Sequence, residues 1–270
     1  MTAQQSEGDA ETPGIPERGK RARRGAREPG APARVLSIHA HPDDQEFTVG
    51  GTLAKWARAG SRILTVCITS GNAGSNEHMP PSMTREALAP IREQEQRDAC
   101  GALGISEAIF LGYEDGVLEP SIALRRDLTR MIRRYRPEAV VCGDPTVRFY
   151  GATYMNHPDH RAAADAVLDA VFPSAETRLI FPELLDEGLA PHKVQMVFIH
   201  GSDHPDTFID IADVLDVKLA ALKQHKSQMG EWDPTEMITM WARQQGARRK
   251  LRAAESYRVM RLHEPGSAAD

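Results

Sequence analysis

Cysteine is scarce in this sequence: Cys67, Cys100 and Cys142 are the only three in 270 residues. An odd number without metal-type spacing argues against a disulfide framework and a cysteine-built zinc site. It fits free, buried thiols in a reducing, cytoplasmic compartment. No apolar run approaches the ~20 residues of a membrane-spanning helix. The formal net charge of -5 provides no global drive toward nucleic acid or an anionic membrane, so neither is expected as a partner. No G-x-G-x-x-G follows the first apolar segment, where only Gly50-Gly51 occurs. That weighs against a nucleotide-binding protein, the reading from a different functional class. Internal repeats are absent as well.

Residues 1–33 are nearly devoid of large apolar side chains and rich in Gly, Pro, Arg, Glu and Ala. They read as a disordered tail. The basic run at 20–27 is followed by Glu28-Pro29-Gly30, not by the apolar stretch an export signal requires. Residues 264–270 read as a second tail, which leaves one domain over 34–263.

Within that domain apolar and amphipathic segments alternate. Residues 35–38 are strand-like, 50–59 helical, and 62–69 (RILTVCIT) have the β-branched apolar run of a buried parallel strand. A polar loop over 70–90 precedes a helix at 92–103, ended by Gly104. A strand at 108–111, a helix at 121–135, a strand at 139–142, a loop at 143–156 and a helix at 158–171 follow. Strands at 194–200 and 207–211 and helices at 214–226 and 236–252 complete the pattern. The alternation predicts an α/β fold, a Rossmann-like three-layer αβα arrangement with a mostly parallel sheet. Ligands of such folds bind beyond the carboxyl ends of the strands.

Two polar clusters stand at that edge: His41-Pro42-Asp43-Asp44 after the first strand and His157-Pro158-Asp159-His160 after the strand at 139–142. Either one alone is as well explained by a turn, with Pro fixing the backbone and Asp capping a helix. Together they supply the three His/Asp ligands a catalytic zinc takes while keeping a place for water. His41, Asp44 and His160 are the expected ligands. Asp43 is placed to take the water's proton and deliver it to a leaving amine. His157 is placed to donate to an oxyanion, and Asp159 to orient His157 or His160. A two-His, one-carboxylate site also accepts Fe(II) or other divalent ions. His39 reads as a core or supporting residue. His78, His192, His200, His204, His225 and His263 lack paired ligand spacing.

These clusters resemble those of the PIG-L/LmbE-type zinc-dependent N-deacetylases. The run from His41 to Asp44 is followed by Gly50-Gly51-Thr52, as in that family, and His157 to His160 matches its second signature. Thr69-Ser70-Gly71-Asn72-Ala73-Gly74 is similar to its substrate loop, and Leu111-Gly112-Tyr113-Glu114-Asp115-Gly116 to its Leu-Gly-x-x-Asp-Gly turn. Arg92-Glu93-Gln94-Glu95 resembles its Arg/Glu helix, and Lys218 with His225-Lys226-Ser227-Gln228 its late helix.

The resemblance implies zinc at His41, Asp44 and His160, Asp43 as general base, and His157 as electrostatic partner of the intermediate. It further implies substrate contacts from Ser70, Gly71, Asn72 and Arg92. For His225 and Gln228 it leaves a site role and a buried hydrogen-bonding role equally open. The implied reaction removes an N-acetyl group from an N-acetylglucosamine-type amino-sugar conjugate. The alternative within the same chemistry is an amidase for a larger amide, such as a mycothiol-like thiol S-conjugate. Oligomerisation, including a homo-oligomer, is left open. Two positions depart from the family pattern. Gln45 replaces a commoner Glu, which would change the charge beside the site. Met155 stands where thiol-pathway members often carry Tyr, with Tyr154 next to it.

Overall fold

A computed structural model describes residues 30–263. The basic run at 20–27 and the segment 264–270 lie outside the described residues. β1 (Arg34–His39) leads through α1 (Asp44–Thr48) and α2 (Gly50–Arg58) to β2 (Arg62–Thr69). α3 (Arg85–Leu103), β3 (Glu107–Tyr113), α4 (Ile122–Tyr135) and β4 (Ala139–Gly143) follow. A small hairpin, β5 (Phe149–Tyr150) with β6 (Tyr154–Met155), precedes α5 (Pro158–Asp169) and the short α6 (Glu183–Asp186). Then come β7 (Met196–His200), β8 (Thr207–Asp210), α7 (Leu215–Leu222), α8 (Lys226–Met229), α9 (Thr235–Ala247) and β9 (Ala254–Arg261).

Seven strands form one sheet in the order β3-β2-β1-β4-β7-β9-β8. β3, β2, β1, β4 and β7 run parallel, and β9 is antiparallel to both β7 and β8. Period-two alternation in the strands serves two cores. Leu36, Leu64, Val140 and Val197 face α4 and α5, packing on Leu124, Leu128 and Val167. Val35, Ile63, Val141 and Phe198 face the other way, onto Leu53 and Trp56 of α2, Leu103 of α3 and Ala242 of α9. Each such side chain contributes roughly 1.5–3 kcal/mol on full burial. The mostly parallel αβα sandwich is therefore the observed fold.

Strand order reverses between β1 and β4, since β2 and β3 lie to one side of β1 and β4 and β7 to the other. A crevice opens there beyond the strand ends, where open α/β sheets bind ligands.

Several boundaries differ from the sequence reading. α3 begins at Arg85, with Thr84 Oγ1 accepting from the Ala87 N–H at 3.3 Å, so the long loop covers only 70–84. Pro90 sits inside the helix, which holds its course because Leu88, Arg92, Glu95 and Gln96 bury one face around it. β9 is absent from the sequence reading. Glu255, Arg258 and Arg261 obscure its alternation, and pairing with β7 and burial of Tyr257 and Val259 impose it. Residues 31–33, grouped with the tail by composition, already pack: Ala33 is buried and Pro32 O accepts from Ser61 Oγ at 2.6 Å.

β9 also explains Gly50-Gly51-Thr52. The α2 N-terminus has no side-chain cap of its own. Glu255 supplies one from across the fold, accepting from the Gly51 and Thr52 N–H groups at 2.9 and 2.7 Å. Lys218 Nζ, 2.5 Å away, balances that buried carboxylate. A Cβ on Gly51 would meet the Ile211 side chain at 2.9 Å, so the helix start can approach only as glycine. Among the described residues no helix is long and apolar enough to cross a membrane. All three cysteines are free and buried.

Candidate active site

The turn after β1 carries His41, Pro42 and Asp43 into α1. Asp43 adopts φ 88°, ψ -28°, a left-handed conformation that costs an ordinary L-residue roughly 1–2 kcal/mol and that Asp tolerates better than most. The Asp44 carboxylate closes the turn by accepting from the His41 N–H at 2.9 Å. His160, in the first turn of α5, comes in from the β4 side of the switch point.

His41 Nδ1, His160 Nε2 and the Asp44 carboxylate meet at one point. The two ring nitrogens are 3.3 Å apart, His41 Nδ1 lies 3.4 Å from Asp44 Oδ2, and His160 Nε2 lies 2.9 Å from Asp44 Oδ1. Ligands roughly 2.0–2.1 Å from a tetrahedral zinc stand about 3.3 Å from one another. The far nitrogens face acceptors. His160 Nδ1 is 3.1 Å from Asn156 Oδ1, and His41 Nε2 is 3.0 Å from Asp115 Oδ1 and 3.3 Å from Asp159 Oδ2. Protons placed on those far nitrogens leave two lone pairs and a carboxylate aimed at one another. That arrangement is repulsive unless a cation or an extra proton sits between them. Burial lowers the affinity of His41 and His160 for a proton, yet the neighbouring carboxylates, Asp44 foremost, outweigh it and raise both pKa values. The cluster is built to hold positive charge. Ring and carboxylate atoms of His41, His157 and His160, and of His41, Asp115 and Asp159, also form groups within 4.8 Å that can hold a metal ion.

Asp43 stands beside this cluster. Its Oδ2 is 3.0 Å from Arg92 Nη2. Burial pushes its carboxyl pKa up, Arg92 opposes that, and Asp44 adds to it, with a net rise. His157 Nδ1 accepts from the Asp159 N–H at 3.2 Å, which leaves Nε2 to carry the proton. Burial, with His41 and His160 nearby, lowers its pKa and keeps the ring neutral. His157 is thus a neutral donor at the rim, its ring edge-on to His41 at 4.9 Å.

One face of α3 braces the whole assembly. Arg92, Glu95 and Gln96 are three and four residues apart and therefore point the same way. Arg92 donates to Gly71 O and Pro42 O, both at 2.6 Å. Glu95 accepts from Ser227 N and Oγ at 2.7 and 2.6 Å. Gln96 Oε1 accepts from the Asp43 N–H at 3.0 Å while its Nε2 donates to Glu46 Oε1 at 3.0 Å. Glu46 is fully buried and also meets His225 Nε2 at 3.1 Å. The carboxylate thereby sets the Gln96 amide orientation, and the amide holds Asp43 in its left-handed turn. The Gln96→Met variant is expected to keep its metal and lose about 10–100-fold in kcat, the usual cost of removing a supporting partner. Steady-state kinetics with elemental analysis checks this. Unchanged kcat would remove Gln96 from the positioning of Asp43.

These features bring the sequence signatures together under one description. Residues 36–171 match the family PIG-L, described as GlcNAc-PI de-N-acetylase. The chain belongs to this family. It is 31% identical to the diacetylchitobiose deacetylase of Thermococcus kodakarensis over 74% of each chain. It is 32% identical to a probable N-acetyl-alpha-D-glucosaminyl L-malate deacetylase 2 of Bacillus anthracis, over 72% of this chain and 80% of that one. The structure of the N,N'-diacetylchitobiose deacetylase from Pyrococcus horikoshii superposes with a TM-score of 0.77 at 28% identity. That match covers 87% of this chain and 88% of the other.

Within the PIG-L fold the expected residues separate into two sets. His41, Asp43, Asp44, His157 and His160 all line one cavity of about 1230 Å³. The expected substrate loop does not enter it as anticipated. Ser70 Oγ is spent on Glu93 at 2.7 Å, Gly71 O on Arg92, and Asn72 Oδ1 accepts from Arg85 at 3.2 Å. Ala73 and Gly74 line the cavity instead. Arg92 also lines it, but its guanidinium holds the loop and Asp43.

The Asp159 carboxylate lies nearer His41, at 3.3 Å, than His157, at 3.8 Å, because the N–H groups of Gly116 and Leu118 pin it at 2.7 and 3.2 Å, while the Asp159 backbone N–H orients His157. Gln45 points away from the site, bonding Thr65 and Glu46 in the core at 2.9 Å each, so its neutrality leaves the charge of the cluster unchanged. Tyr154 lines the cavity while Met155 is 67% exposed. His225 is a buried partner of Glu46, and Gln228 donates to Gly74 O at 3.0 Å. His39 is a core residue 2.9 Å from Ser37 Oγ, its pKa lowered to about 4 by burial. Asp115 received no role from the sequence, although its Leu-Gly-x-x-Asp-Gly turn marked the place. Gln96 and Glu46 carried no signal, since their roles exist only between α1, α3 and α8.

Proposed function

We propose that this protein is a zinc-dependent deacetylase that hydrolyses the N-acetyl amide of an N-acetylglucosamine-type conjugate, releasing acetate and a free amine. The observation that carries the reading is the meeting of His41 Nδ1, His160 Nε2 and the Asp44 carboxylate at 2.9–3.4 Å, with the Asp43 carboxylate beside them. These three residues would hold the metal. Bound there, zinc lowers the pKa of water to near ~7 and polarises the amide carbonyl.

The chain's own groups do the remaining work. Asp43 takes a proton from the attacking water and returns it to the departing amine, a task suited to a carboxylate whose pKa is raised by burial. His157 donates from Nε2 to the oxygen on which negative charge develops. Asp115 and Asp159 orient His41, and Asn156 orients His160. The same ligand set accepts Fe(II), which makes metal identity a matter of supply as well as geometry. Three free, buried thiols support a cytoplasmic setting. The nucleotide-binding alternative loses its remaining support, because Gly50-Gly51 is occupied by Glu255 and Ile211.

An amine-release assay across N-acetylglucosamine derivatives, before and after chelation, tests the proposal. Release with zinc that stops on chelation and returns on re-addition is the expected outcome. No release from any N-acetyl sugar under zinc or Fe(II) would refute it. Release only from thiol S-conjugates would favour the larger-amide amidase.

A further inference from the structure

We propose that the β5–β6 hairpin is a flap over the cavity, hinged at Asn156 and latched by Tyr150, and that its position is linked to the hold of His160 on the metal. The proposal rests on the metal site of the deacetylase reading above and adds a moving part that governs that site.

The hairpin stands apart from the main sheet. Among the described residues β5 and β6 pair with each other alone, Phe149 against Met155 and Tyr150 against Tyr154. Two-stranded hairpins are marginal on their own in water, so this one depends on its anchors. Strand alternation gives it two faces. Tyr150 and Tyr154 line the cavity, their ring centroids 6.0 Å apart, and Thr153 joins them from the turn. Phe149 and Met155 stand on the outer face, 62% and 67% exposed.

One latch holds this hairpin down. The Tyr150 hydroxyl donates to Gly201 O, just past the end of β7, at 3.0 Å. Among the described residues no other side-chain hydrogen bond or ion pair ties residues 149–155 to the rest of the fold. Gly201 sits at φ 71°, and a Cβ there would stand 2.5 Å from the Tyr150 oxygen. The latch therefore closes only on glycine.

The hinge is Asn156, which is buried. Its N–H donates to Arg148 O and its Nδ2 to Val147 O, both at 2.8 Å, which closes the base of the hairpin. Its Oδ1 faces His160 Nδ1 at 3.1 Å. One planar amide thus joins the hairpin base to the ring whose other nitrogen points at the metal cluster. With Nδ2 on a carbonyl, Oδ1 is the only atom left to accept from the imidazole N–H. A hairpin that swings outward carries Val147 O and Arg148 O with it, turns the amide and releases His160 Nδ1. A closed hairpin fixes the ring, as the partners of metal-bound imidazoles do. Such coupling is reciprocal, so a metal at His160 also steadies the hairpin. An open flap admits a conjugate to the cavity, and closure restores the aim of His160.

The test measures hydrogen exchange of the backbone amides over 148–156, with and without zinc, and zinc affinity by competition with a chromophoric chelator. It is run on the wild type, Tyr150→Phe and Gly201→Ala, which break the latch from its two sides and leave the metal cluster intact. Both variants are expected to bind zinc about 2–10-fold more weakly, the worth of one hydrogen bond. Zinc should slow exchange over 148–156 in the wild type by a similar factor. In zinc-free Tyr150→Phe, which keeps the ring and loses one hydroxyl, exchange there should rise while β1 and β4 exchange as in the wild type. Wild-type zinc affinity in both variants would overturn the linkage, as would hairpin exchange that zinc leaves unchanged. Zinc uptake without these effects refutes the flap alone. No zinc uptake by the wild type refutes the metal reading, and the linkage falls with it.

Discussion

The Asp43→Asn protein is expected to retain its full equivalent of zinc and to lose about 10²–10⁴-fold in kcat, the range a positioned acid–base group supplies. The substitution is nearly isosteric. Asn is also among the few residues at ease with a φ of 88°, so the turn that presents His41 and Asp44 survives. The proton acceptor is removed while the turn is kept. The Asp43→Ala change is a poorer probe, since it adds backbone strain to the lost carboxylate. In both, the buried Arg92 guanidinium loses its carboxylate at 3.0 Å, and some stability goes with it. Elemental analysis and steady-state kinetics on one preparation separate the outcomes. Turnover near the wild-type value would remove Asp43 from proton transfer.

His160→Ala should behave in the opposite order, losing the metal first and activity as a consequence. Removing Nε2 takes away one of three acceptors at the cluster, which should weaken zinc binding by more than the 10–100-fold typical of a supporting partner. Equilibrium dialysis against zinc, followed by metal analysis, measures this. Full stoichiometric zinc at low free metal would mean that His160 is not a ligand.

The contrast between these variants follows from residues that were visible in the sequence. His41, Asp43, Asp44, His157 and His160 stood out because five chemically rich side chains in two short motifs, each after an apolar strand, are improbable as turns alone. Strand–helix alternation placed both motifs at one sheet edge. Short-range pattern was sufficient for these features, since a strand end and the next turn are local events.

What local pattern could not carry was direction. Ser70, Gly71 and Asn72 sit next to the site in sequence, yet Glu93, Arg92 and Arg85 draw their polar groups elsewhere. Asp159 serves His41, 118 residues away, because two backbone N–H groups after β3 fix its carboxylate. The strand character of β9 depends on pairing with β7 and on burying Tyr257, so its local pattern does not show it.

The sequence by itself thus determined the αβα class, the sheet edge at which both motifs stand and the five side chains expected to carry the chemistry. Only the tertiary structure decided which nitrogen faces which carboxylate and that Gln96 and Glu46 support Asp43. It alone brought Trp232 and Trp241 to the same cavity as His41, Asp44 and His160. Those are contacts between elements far apart in the chain, formed when the two layers of helices close on the sheet.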